Sequence, residues 1–163
     1  MFVRTLFTAT TLALAAPALA APLTATQFTH KAAMTDVFEL ESSKLALTKS
    51  SDGKVKDFAN MMIRDHTTSS ANLAKAAKAS NTPVDKSLDA EHRAKIEKLR
   101  GLSGAAFDKA YLNEQQMGHE KALATLKDYA ATGTVAPLKT FAADTSTVVA
   151  MHYDHVKKLN AAK

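Results

Sequence analysis

Apolar residues recur every three or four positions along most of the chain, which is the spacing of one face of an α-helix. The repeat predicts four long helices, over residues 24–50, 54–80, 104–132 and 135–161. No alternation of apolar and polar residues typical of a strand interrupts them. In the second segment the shared face consists of Val55, Phe58, Ala59, Met62, His66, Ser69, Leu73 and Ala77. The pattern therefore predicts an all-α protein.

Glycines separate the predicted helices and indicate how they are connected. Gly53 and Gly133 lie in short links, which predict two antiparallel hairpins. The longer stretch 81–102 is the crossover between the hairpins, and its residues 89–99 are predicted to form a short extra helix. The result is an antiparallel four-helix bundle with one long connection. That connection is the ferritin-like arrangement, although periodicity alone does not choose it over a simpler bundle.

The first twenty residues have the three-part pattern of an export signal. A short basic start containing Arg4 is followed by an uncharged apolar run and then by Ala18-Leu19-Ala20, the small residues that signal peptidase recognises. The run is too short to span the roughly 30 Å hydrocarbon core of a bilayer. We therefore expect residues 1–20 to be a cleaved signal peptide and the protein to be periplasmic, where peripheral association with the envelope is compatible with the sequence.

Composition supports a single domain over residues 21–163 and narrows the partners. The chain has 163 residues, 46% of them apolar, with no cysteine and a formal charge of +5. The absence of cysteine excludes a disulfide framework and a lipid-anchored protein. Lysines are spread along the chain without a basic run, so nucleic acid is not an expected partner. After the signal no apolar stretch could cross a membrane, which leaves an envelope protein or a second copy as the expected partners.

Three histidines interrupt the apolar faces of three helices. In a hairpin, residues equally distant from the turn lie at the same level, and this places Glu39 level with His66 across the first turn. Around the second turn, His119 and His152 are offset by about 7 Å at 1.5 Å per residue. All four positions are near the middle of their helices. The sequence thus predicts a cluster of these four side chains inside the bundle.

Imidazole and carboxylate groups from facing helices are ligands for zinc, iron, copper or nickel. A buried network of hydrogen bonds, without metal, is the alternative interpretation. The partner residues expected around the cluster are Asp65, Asp108, Tyr111 and Gln115. No glutamate stands three residues before a histidine, so a di-iron centre is not expected. Nucleophilic catalysis lacks the required motifs as well.

The chain also resembles the exported bacterial proteins of the DUF4142 family. The most specific matching segments are Asp65-His66-Thr67 and Phe107-Asp108-x-x-Tyr111, and the resemblance extends over about residues 27–159. It implies a ferritin-like four-helix fold and makes Glu39, rather than Glu41, the inward carboxylate. It brings no settled activity.

The expected function is therefore that of a non-catalytic periplasmic protein that binds a transition metal through the His/Glu cluster or acts in envelope stress. One alternative is a small metalloenzyme or redox protein that uses the same cluster. Another is a purely structural or partner-binding bundle whose polar residues only form a network.

Overall fold

The computed structural model describes residues 22–162, so the predicted signal peptide lies outside the described part of the chain. Residues 22–162 form five helices and contain no strand, which confirms the all-α prediction. The helices are α1 (Ala25–Lys49), α2 (Gly53–Ala79), α3 (Ala90–Arg100), α4 (Gly104–Thr132) and α5 (Ala136–Ala161). Each begins and ends within two residues of its predicted bounds.

Side-chain caps explain where several helices begin. Thr24 and Gln27 form a reciprocal capping box at the start of α1. The Asp52 carboxylate accepts hydrogen bonds from two backbone N–H groups of α2, at 2.7 and 3.3 Å. Asp89 accepts one from the backbone of His92 at 2.8 Å and begins α3. These acceptors satisfy N–H groups that have no partner inside the helix.

The four long helices pack so that each contacts two others. α1 lies against α2 and α4, and α5 lies against the same two helices from the other side. The crossover follows α1: Thr29 donates a hydrogen bond to the Pro83 carbonyl at 2.8 Å near the start of α1, and α3 then packs on α1 and α4. Within residues 22–162, no helix is both long and apolar enough to cross a membrane.

Two apolar clusters fill the interior, one toward each end of the long helices. One cluster contains Phe58 and Phe107, and the other contains Phe28, whose ring stacks on Tyr129 at a centroid distance of 3.8 Å. Along α2 the first cluster ends at Met62 and the second begins at Leu73. A buried polar layer occupies the space between them, and it contains the predicted cluster.

Candidate metal centre

His66, His119 and His152 meet in this polar layer. They come from α2, α4 and α5, and their ring centroids are 5.3 to 5.8 Å apart. One nitrogen from each ring lies within 4.8 Å of those from the other two. The exposed fraction of each histidine is 4% or less. The structure therefore brings together the three histidines that the sequence placed on separate helix faces.

Each imidazole is held through one ring nitrogen by a group outside the cluster. His66 donates from Nδ1 to Asp36 Oδ1 at 2.8 Å, and His152 donates from Nε2 to Asp65 Oδ2 at 2.9 Å. His119 donates from Nδ1 to the backbone carbonyl of Gln115 at 2.8 Å. These bonds fix each ring's tautomer and orientation, as partners behind metal-ligating histidines do.

The remaining nitrogen of each ring has no hydrogen-bond partner. These atoms are His66 Nε2, His119 Nε2 and His152 Nδ1, and all three are buried. With the proton on the opposite nitrogen, His119 and His152 each present a lone pair here, and His66 does so once it is neutral. Three buried acceptors without a donor are costly, because burial removes their hydrogen bonds to water.

Glu39 supplies a carboxyl group next to His119, on the side of the ring nitrogen that bonds Gln115. Its exposed fraction is 1%, its Oε1 lies 3.8 Å from His119 Nδ1, and its Oε2 has no hydrogen-bond partner. Gly118 of α4 lies opposite this carboxyl group. A Cβ atom at that position would lie 3.5 Å from Glu39 Oε1, and glycine has none. Glu41 is exposed on the same helix, so the inward carboxylate is the one expected from the sequence.

Burial dominates the protonation of the layer. It raises the pKa of Glu39 to about 7, although the charge of His66 and a hydrogen bond from Gln115 partly oppose it. It lowers the pKa of His119 to about 3 and that of His152 to about 4. Burial also lowers the pKa of His66, but the bond to Asp36 and the nearby carboxylates outweigh it and raise that pKa above its ordinary value. At neutral pH, His119 and His152 are therefore neutral and able to bind a cation.

The donor set fits a divalent transition metal. Zinc binds histidine nitrogen at about 2.0–2.1 Å, so two nitrogens at the tetrahedral angle on one ion are about 3.4 Å apart. One nitrogen of each ring lies within 4.8 Å of those from the other two, so the rings would have to approach one another by up to about 1.4 Å to bind one ion. Once a metal displaces the proton of His66, three neutral imidazoles with one carboxylate would complete a four-coordinate site.

The expected partner residues divide into two groups. Asp65 and Gln115 hold ring nitrogens of His152 and His119. The Tyr111 hydroxyl instead bonds Ser43 Oγ at 2.8 Å, and Asp108 lies eleven residues before His119 on α4, about 16 Å along the helix. Neither of these last two sits beside the imidazoles.

Asp36 is the functional residue that the sequence interpretation missed. It is buried, and it accepts hydrogen bonds from His66 through one oxygen and from Ser70 through the other, the latter at 3.1 Å. The sequence did contain a sign of this contact, because Asp36 lies within two residues of the level of His66 across the first turn. The buried face of α1 carries so many polar side chains that its apolar pattern did not reveal the orientation of the helix.

Comparisons with known proteins complete the description of the site. The profile of the family described as Domain of unknown function (DUF4142) matches residues 9–159. Comparison with curated proteins by sequence yields no match.

Three solved structures share the fold at low sequence identity. A DUF305 protein from Streptomyces coelicolor is 15% identical with a TM-score of 0.70, and the match covers 82% of this chain and 88% of that one. A DUF305 fragment from Deinococcus radiodurans is 13% identical with a TM-score of 0.74, covering 88% of this chain and all of that one. CopM in its Cu(II)-bound form is 14% identical with a TM-score of 0.70, covering 86% and 98%.

Proposed function

This chain belongs to the DUF4142 family, whose function is unknown, and we propose that the protein binds a metal ion in the periplasm. Because the family assigns no activity, the proposal rests on the geometry of the chain's own side chains. His66, His119 and His152 bind one divalent transition-metal ion, with Glu39 as the fourth ligand. The role is binding of the ion rather than turnover of a substrate. Metal binding was one part of the sequence expectation, and the geometry of the histidines supports it over the purely structural bundle.

One observation carries the proposal: three buried imidazoles each have one nitrogen fixed from outside and the other nitrogen unpartnered inside the cluster. A hydrogen-bond network would pair these inner atoms with one another or with a donor. The inner nitrogens of His119 and His152 are unpaired acceptors at close range, and a metal ion that also displaces the proton of His66 would satisfy all three nitrogens.

The ligand types favour Cu(II) and Zn(II). Imidazole suits both ions, and affinities of nitrogen and oxygen sites for divalent first-row metals reach their maximum at copper. The chain has no cysteine, so no thiolate competes for a softer ion. The solved structure of CopM contains Cu(II), and it shares this overall fold. That likeness is compatible with copper and identifies no ligand in this chain.

Fold and location belong to the same proposal. The crossover places α3 along α1, so that α2 and α4 run in the same direction, and this supports a ferritin-like four-helix bundle with one long connection. The export pattern of residues 1–20 supports the periplasm, with cleavage after Ala20. Envelope proteins or a second copy of the chain remain the expected partners.

Thermal melts of the mature protein with chelator, then with Zn(II) or Cu(II), test the proposal. A ligand that binds only the folded state at a hundred times its dissociation constant stabilises it by about 2.7 kcal/mol. For a domain of this size that corresponds to a rise in Tm of roughly 5–10 °C. We expect this rise in the wild type, together with one bound ion per chain by elemental analysis.

His152→Ala and His155→Ala provide a matched pair on α5. His152 is buried in the cluster, whereas His155 lies one turn further along and is exposed. We expect His152→Ala to lose the metal-dependent rise and His155→Ala to keep it, with both variants folded in chelator by circular dichroism. A wild type whose Tm does not respond to any of zinc, copper, nickel or iron would contradict the metal assignment and favour the buried network.

A further inference from the structure

A cavity of about 250 Å³ reaches the candidate centre from one side. Glu39 and His66 line it, whereas His119 and His152 do not. Both lining residues are more than nine-tenths buried, and each carries an unpartnered atom, Glu39 Oε2 and His66 Nε2. The cavity therefore ends at two polar groups that hydrogen bonding within the protein leaves unsatisfied.

The cavity also reaches the surface. Exposed residues of three helices line its outer part: Lys31 of α1, Glu91 of α3, and Met117 and Lys121 of α4. The opening thus lies where the crossover helix α3 meets α1 and α4. The cavity lining therefore extends from exposed residues at this opening to the buried Glu39 and His66.

Polar side chains also line the cavity, among them Asp36, Ser69, Lys95, Glu114 and Thr145, but apolar surface forms the larger part of its wall. Buried aromatic and aliphatic side chains line it: Phe28, Phe38, Leu126, Phe141 and Val149. An apolar cavity of about 150 Å³ accommodates benzene, so this one has room for a larger ring. A wall that is mostly apolar, with polar groups among it, is usual for a small-molecule site, in which the polar groups fix the orientation and the apolar surface supplies affinity.

We propose that this cavity is a ligand site of the metal centre and binds a small molecule with an aromatic body and one nitrogen or carboxylate donor atom. The donor atom lies at the Glu39 and His66 end, where it binds the metal as a fifth ligand beside the three histidines and Glu39. The aromatic body lies against Phe28, Phe38 and Phe141. This inference rests on the proposed function, since the metal supplies the acceptor for the donor atom.

Imidazole and 4-phenylimidazole test the site, because they share a donor and differ by one aromatic ring. Metal content of the Zn(II)- or Cu(II)-loaded protein is measured first, and the two affinities are then compared by calorimetry. Burial of the added phenyl ring predicts at least tenfold tighter binding of 4-phenylimidazole. Metal content after binding must be unchanged, which excludes simple removal of the ion by the probe.

Ala122→Leu fills the cavity, and Ala110→Leu is its control. Both alanines are half-buried on α4, but only Ala122 lines the cavity. We expect Ala122→Leu to bind metal and to lose the advantage of 4-phenylimidazole, while Ala110→Leu keeps both. Ala32→Leu, which fills the cavity from α1, repeats the test should Ala122→Leu fold poorly.

The outcomes separate the two proposals. A protein that loads no metal contradicts the proposed function, and the ligand site is rejected with it. A protein that loads metal but binds the two probes equally, or in which the filling variants bind them as the wild type does, overturns the ligand site and leaves the metal centre intact.

Discussion

At the scale of single residues, the partner of each histidine decides what the imidazole can do. His92 and His66 both donate from Nδ1 to an aspartate, at 2.7 and 2.8 Å. Asp89, the partner of His92, caps the exposed start of α3, so that pair stabilises a helix end. Asp36, the partner of His66, is buried and directs the opposite nitrogen into the cluster. The same kind of histidine–aspartate bond therefore accompanies a helix cap at His92 and orients a candidate metal ligand at His66.

Asp36→Asn tests this orienting role. The substitution keeps the size of the side chain but replaces an anionic acceptor with a neutral amide, which weakens the hold on the His66 proton. Loss of such a partner behind a ligating histidine typically weakens metal affinity about 10- to 100-fold. We expect a loss in that range by competition titration with a chromophoric chelator.

Ser70→Ala is the control for Asp36→Asn, since it removes only the hydrogen bond that the Ser70 hydroxyl donates to the other Asp36 oxygen. Its metal affinity is expected to stay within a few-fold of the wild type. Equal losses in the two variants would assign Asp36 to general packing rather than to the orientation of His66.

At the scale of whole helices, the termini show how local sequence becomes structure. Ser103 is the N-cap residue of α4, as its position before the helix suggests, but its side chain makes no capping hydrogen bond. Asp52 at the start of α2 bonds two backbone N–H groups. The negative charge of Asp52 also interacts favourably with the positive end of the helix dipole.

Asp52→Ala and Ser103→Ala therefore have different expected costs. Replacing a bonded cap by alanine typically lowers the free energy of unfolding by about 0.5–2 kcal/mol. We expect Asp52→Ala to fall in that range and Ser103→Ala to change the free energy by less than about 0.5 kcal/mol, as most surface substitutions do. Urea denaturation of both variants at one pH and in chelator measures the difference. A cost at Ser103 as large as that at Asp52 would mean that its hydroxyl caps α4 in solution.

At the scale of the molecule, a polar layer between two apolar clusters makes stability depend on pH. In the metal-free protein the pKa values of His119 and His152 lie at about 3 and 4, below the ordinary 6.5, so unfolding takes up protons between those values and pH 6.5. Glu39 acts in the opposite direction, because its pKa of about 7 makes the folded state hold the extra proton between pH 4.5 and 7. Between pH 4.5 and 6.5, unfolding therefore takes up protons at the two histidines and releases a proton at the one carboxyl group.

We therefore expect the free energy of unfolding in chelator to rise with pH from 4.5 to 6.5. The net uptake of one proton sets an upper slope of about 1.4 kcal/mol per pH unit. Glu39→Gln removes the opposing group, so its slope over this window is expected to be steeper than that of the wild type. Urea denaturation at pH 4.5, 5.5 and 6.5 measures both slopes. A flat or falling dependence in the wild type would show that the histidines are protonated in the folded protein.

The sequence by itself determined the helices. Helix periodicity and the glycines at helix ends, such as Gly53 and Gly133, depend on neighbouring residues along the chain, and the structure reproduces the predicted bounds within two residues. The same local pattern marked His66, His119 and His152 as polar residues on apolar faces. Distance from each turn then indicated that they could meet, and the structure places their rings 5.3 to 5.8 Å apart.

Tertiary structure alone decided which polar groups pair and which nitrogens stay open. Asp36 was missed and Tyr111 was placed near the histidines because hydrogen-bond partners depend on helix rotation, and a single helix face tolerates many polar residues when a facing helix supplies partners. The cavity is likewise formed by side chains of all five helices. Such features arise from packing between segments distant in the chain, which periodicity within one segment does not encode.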